Sequence, residues 1–217
     1  MPSPQQHLDT LQDIRKIMER SSRFLSLSGL SGVAAGILAL AGAGLARWIL
    51  ADYHAANPDP GLFTTQAIYQ LKLRLLLLAL GVLGTALAAA FYFTRRRALR
   101  TGRPLWDASS RNLLTSLLIP LVSGGLYLLA MLQYGEWRLV APGCLIFYGL
   151  ALVNASRYTL TDVRYLGLLE ILLGLVNTQL PEYGLYFWAA GFGILHVTYG
   201  IIMWFKYERS EPAQPAR

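Results

Sequence analysis

The stretch RYLGLLEILLGLVNTQLPEYGLYFWAAGFGILHVTYGIIMWFKY, Arg164 to Tyr207, decides how the chain is read. Two apolar segments flank a short turn at Pro181 and Gly184, and each carries one ionisable residue near its middle. Gly167, Glu170 and Gly174 are spaced G-x-x-E-x-x-x-G; Gly193, His196 and Gly200 repeat the pattern with histidine in place of glutamate. Offsets of three and seven fall on one face of an α-helix. Each ionisable group therefore sits between two glycines, on a face that lets another backbone come close. The short turn makes the two segments antiparallel neighbours. Matching them by depth predicts Gly167 against Gly200, Gly174 against Gly193, and Glu170 against His196. Asn177, seven residues beyond Glu170, extends the same polar face.

The rest of the chain sets these segments in context. Of 217 residues, 54% are hydrophobic and only 14% charged, whereas soluble domains carry about 25% charge. Several apolar runs approach or exceed the roughly 18 to 20 residues that cross hydrocarbon. The expected fold is an all-α polytopic membrane helix bundle. Its six transmembrane helices fall at about 25–50, 71–93, 113–134, 139–155, 163–180 and 185–205. They form one transmembrane domain over 25–206. An amphipathic cytoplasmic helix is expected over 1–24 and a disordered polar tail over 207–217. The first apolar run serves as the insertion signal, with no cleavable leader expected.

Charge placement predicts orientation. Fifteen of the 19 lysines and arginines fall on the side shared by both termini and four on the other, so the N and C termini are expected in the cytoplasm. The net charge of +7 is thus loop placement and not a nucleic-acid footprint. Five arginines after the second span, Arg95, Arg96, Arg97, Arg100 and Arg103, suit anionic lipid headgroups, at about 1 kcal/mol each near the surface. A phosphate-bearing ligand is the sharper alternative. Gly32 and Gly36 in the first span, and Gly81, Gly84 and Ala88 in the second, mark further helix-packing faces. Pro120 interrupts the third span without a counterpart in the sixth, which argues against the paired broken helices of transporters.

The chemistry is narrow. A single cysteine, Cys144, excludes an internal disulfide or a thiolate cluster. His7, His54 and His196 lie in separate segments, so no metal or haem site and no cofactor are expected. No catalytic residues are assigned: no nucleophile arrangement or phosphate-binding glycine loop is present. Glu170 and His196, with Asn177, form the candidate intramembrane polar site. The pair is open to three readings: a mutual lock, a protonation-sensitive site, or an acid and base acting on a membrane-soluble substrate. The expected function is a non-enzymatic regulatory, scaffolding or sensing membrane component. The alternative is a small proton-linked transporter or channel subunit. Expected partners are anionic lipids, other membrane proteins or a second copy of the chain, and no nucleic acid.

Three stretches carry a resemblance: MERSSRFLSLSGLSGVAAGI (18–37), NASRYTLTDVRYLGLLEILLGL (154–175) and GFGILHVTYGIIMWFKYE (191–208). They resemble a family of small bacterial polytopic membrane proteins with no established activity. The resemblance implies a six-span architecture and a bacterial inner membrane, and nothing about mechanism.

Overall fold

The computed structural model describes Phe24 and residues 27–57, 65–102 and 104–209. Among these every regular element is helical. They are α1 (Gly29–Ala56), α2 (Thr65–Thr101), α3 (Ala108–Gln133), α4 (Val140–Ala155) and α5 (Asp162–Gln179), followed by a last rod in three parts. That rod comprises α6 (Gly184–Trp188), a π-helical stretch Ala189–Leu195, and α7 (His196–Tyr207). The expected N-terminal helix, Arg103 and the tail beyond Arg209 lie outside the described residues.

Among the described residues five helices are long and apolar enough to cross a membrane: Gly29–Ala56, Gln66–Thr101, Ala108–Gln133, Trp137–Tyr158 and Pro181–Glu208. The sixth expected span, α5, is not among them. Its 18 residues measure about 27 Å, but Asp162, Arg164 and Glu170 dilute its apolar content. Two boundaries differ from expectation. α2 has 37 residues, about 55 Å of helix against about 30 Å of hydrocarbon. The expected basic loop is therefore partly helix, because arginine, alanine and leucine propagate it well; it stops where Gly102 turns to φ 63°. α3 begins earlier than expected because Asp107 and Ser110 form a reciprocal cap, with Ser110 N donating to Asp107 Oδ1 at 2.7 Å and Asp107 N donating to Ser110 Oγ at 2.9 Å.

Packing divides the helices into two groups. α1 lies between α2 and the last rod, and α4 lies between α3 and α5; the last rod joins the groups by touching α4 and α5. The glycines serve these contacts and not the expected hairpin contact. A Cβ added to Gly167 would lie 2.7 Å from the Gly149 carbonyl oxygen, and one on Gly149 would lie 2.6 Å from that of Gly167. Gly174 likewise abuts the Pro142 carbonyl. On the other side Gly200 faces Gly29 and Val33, Gly32 faces Gly200, Gly36 faces the Gly193 carbonyl, and Gly193 faces Leu40. So the glycine faces close α4 on α5 and α1 on the last rod. The expected pairs Gly167–Gly200 and Gly174–Gly193 do not form. Gly81 and Gly84 meet no neighbour within 4 Å, and α2 exposes Leu73, Leu76, Leu77, Leu80, Leu83 and Leu87. Such a face is compatible with hydrocarbon as its surroundings.

Candidate functional site

Glu170 lies midway along α5, about 12 Å from either end at 1.5 Å per residue. Its side chain is fully buried. The register between α5 and the last rod is shifted from the expected one, so that Gly191, not His196, lies directly opposite. A Cβ on Gly191 would collide with Glu170 Oε2 and with Leu145 of α4, so the carboxyl is held where only glycine leaves room. Seven residues along, Asn177 stands against Gly184 in the same antiparallel register. The π-helical stretch, with Gly191 and Gly193 in its sequence AAGFGIL, carries the rod past the carboxyl. Such insertions gather at functional positions in helices.

His196 still reaches the site. Its Nδ1 lies 3.4 Å from Glu170 Oε1, yet hydrogen-bonds the Gly191 carbonyl at 3.0 Å. Its Nε2 is 2.8 Å from the Tyr148 hydroxyl. A carbonyl only accepts, so Nδ1 carries a proton and donates to Gly191, and in the neutral ring Nε2 accepts from Tyr148. The imidazole is fully engaged. Neither oxygen of Glu170 has a hydrogen-bond partner among the described residues. Phe192 stacks on His196 at 5.9 Å between centroids and packs on Tyr148 at 5.0 Å and Trp188 at 5.1 Å, walling the imidazole with aromatic rings.

Tyr148 and Gly191 escaped the sequence reading. Tyr148 had a usable signal: a tyrosine in the middle of an apolar segment is misplaced for an aromatic, which favours the membrane surface. Gly191 had none, because its role depends on which helix lies opposite.

A second polar cluster lies at the far end of the last rod. Arg97, expected at lipid headgroups, is instead buried. Its Nη1 donates to the Leu27 carbonyl and its Nη2 to the Tyr207 carbonyl at 3.1 Å, with Glu208 Oε1 3.8 Å away. Arg95, Arg96 and Arg100 are exposed. Glu208 caps α1 across the chain, accepting from the Gly29 N–H and from Ser28 Oγ at 3.1 Å, where a helix N-terminus favours a carboxylate. Asp162 accepts from Tyr207 Oη at 2.6 Å and from Lys206 Nζ at 3.0 Å. Residues 207–209 therefore belong to the bundle and not to a disordered tail. Above them Phe24 N donates to the Tyr158 carbonyl at 2.7 Å, and Thr159 Oγ1 donates to the Phe24 carbonyl at 2.9 Å.

Among the described residues no group of three or more histidine, cysteine, aspartate or glutamate side chains is placed to hold a metal ion. Comparison with protein-family models, curated proteins and solved structures returned no match.

Proposed function

We propose that the protein is a non-enzymatic, proton-responsive component of a bacterial inner membrane, with six spans and both termini in the cytoplasm. One observation carries the proton-responsive part: Glu170 is fully buried with no hydrogen-bond partner among the described residues, while His196 spends its bonds on Tyr148 and Gly191. A mutual lock would satisfy both groups, since an unmade bond to a buried polar group costs about 1 to 3 kcal/mol. The neutral site holds a carboxylic acid beside neutral imidazole. Release of the carboxyl proton as pH rises leaves a carboxylate 3.4 Å from Nδ1 that competes with the Gly191 carbonyl for the Nδ1 proton, so the change is passed through the imidazole to Tyr148 on α4 and to the rod. The resemblance of the three sequence stretches and the charge bias support the membrane and the orientation.

The test uses tryptophan fluorescence of the purified protein in lipid nanodiscs between pH 5 and 8, with Trp188 beside Phe192 as reporter. A sigmoidal change in the native protein that vanishes in Glu170→Gln is expected, because the amide cannot titrate. A flat native profile would refute the reading. Topology is tested separately by reporter fusions. Fusions after Thr159 and Pro181 fall on opposite sides if α5 crosses the membrane and on the same side if it does not. Anionic lipid remains the proposed partner of Arg95, Arg96 and Arg100.

A small proton-linked transporter or channel subunit, acting as a homo-oligomer, is the second reading. The π-helical interruption at the depth of Glu170 favours it, since transporters bind at broken helices near the midplane. Proton uptake into proteoliposomes under an imposed potential, absent in Glu170→Gln, distinguishes it.

A further inference from the structure

The environment of Glu170 extends beyond the pair itself. On α5, Glu170 and Asn177 are seven residues apart and both fully buried. On the last rod the residues opposite them, Gly191 and Gly184, are also seven apart. On this wall the Glu170 carboxyl takes the place of a side chain at Gly191, and at Gly184 Asn177 Oδ1 stands 3.9 Å from where a Cβ would be. α4 closes the third wall: a Cβ on Gly191 would strike Leu145, and one on Gly184 would come within 3.2 Å of Ala141 Cβ. Asn177 Nδ2 donates to the Leu180 carbonyl at 2.8 Å. That bond fixes which way the amide is turned, because the reverse orientation would oppose two oxygens. Its Oδ1 is left without a partner among the described residues, like both Glu170 oxygens. Another such atom, the buried Nε1 of Trp137, belongs to the 3-10 turn that packs on Pro181–Tyr183 at the same end.

Glu170 and Asn177 are about 10 Å apart along the helix, too far to share one ion. The separation suits about three water molecules at hydrogen-bonded spacing of about 2.8 Å. Buried polar atoms that lack protein partners are the usual hosts of such waters.

We propose that this slot holds a file of water that carries protons between the Leu180 turn and Glu170, with Asn177 as its positioning residue. The inference rests on the proton-responsive reading of Glu170. The titratable groups facing the carboxyl are His196 from the last rod and Tyr148 from α4. Neither lies toward Asn177, so the route enters from the side opposite the Asp162 end.

Gly184→Cys in a Cys144→Ser background tests the route in proteoliposomes with 2-aminoethyl methanethiosulfonate, a small charged thiol reagent that needs water. The thiol introduced by Gly184→Cys is expected to react at least tenfold faster than the one introduced by Ala151→Cys, at a buried site on α4. Hydrogen–deuterium exchange of the Glu170 carboxyl, read as the infrared C=O band lost in Glu170→Gln, is then expected to slow at least tenfold once the Gly184→Cys variant is modified. Equal labelling at the two positions, or exchange indifferent to modification, overturns the water route. Either failure leaves the pH-dependent fluorescence of the native protein standing, so route and response are separable.

Discussion

Two polar clusters sit on the same rod about one helix length apart, and their carboxylates are treated in opposite ways. At the Tyr207 end, Glu208, Asp162, Lys206 and Tyr207 all find partners, and Arg97 bridges two carbonyls from distant parts of the chain. Around Glu170 the histidine and tyrosine are bonded while the carboxylate oxygens are not. The first cluster ties α1, α2, α5 and α7 together and does nothing that requires it to change. The second leaves a buried group unsatisfied, a cost that a merely structural site would shed. The difference teaches where to look for function: at the polar group whose bonding is incomplete, and not at the one with the most partners.

Substitutions can break or sharpen this contrast. The largest effect is expected from Arg97→Ala, which leaves the Leu27 and Tyr207 carbonyls without their donor and Glu208 without its cationic neighbour. Loss of one partner of a buried pair costs about 3 kcal/mol or more, read as a marked fall in the melting temperature of detergent-purified protein. Lysine should rescue little, lacking the planar fork, whereas Arg95→Lys and Arg96→Lys should leave melting unchanged. Next comes Gly167→Ala, whose methyl would press on the Gly149 carbonyl; overpacking of this kind costs about 1 to 3 kcal/mol. Gly81→Ala, with nothing near it, should be neutral or stabilising by less than about 1 kcal/mol. Comparable losses at both glycines would mean that α2 carries a contact absent from the isolated chain.

Smaller again is Asp162→Asn. Its ion pair with Lys206 is exposed on the lysine side, so about 0.5 to 1 kcal/mol is expected from the pair and the weakened Tyr207 bond. The smallest effect on stability is expected at the functional site. Glu170→Gln should shift stability by less than about 0.5 kcal/mol in either direction, because it removes no made hydrogen bond. It should nevertheless abolish the fluorescence response to pH. A loss as large as that of Arg97→Ala would restore the mutual lock and erase the distinction between the clusters.

How much of this was legible in the residues divides along a physical line. Composition and run length were enough to specify an all-helical chain with several helices able to cross a membrane, because apolar length is a local property. The spacing around Glu170 and His196 was enough to mark the two groups and their flanking glycines, because a helical face is also local. Which face meets which neighbour is not local. Helices in hydrocarbon lack the apolar–polar asymmetry that tells a buried face from an exposed one, so G-x-x-E-x-x-x-G could have served any of several partners. Tertiary packing assigned Gly167 to Gly149 and Gly200 to Gly29, shifted the register so that Gly191 and Gly184 oppose Glu170 and Asn177, and brought Tyr148 to the histidine. It also drew Arg97 out of an arginine run whose neighbours are exposed, because only that position on the last turns of α2 points at the Leu27 and Tyr207 carbonyls.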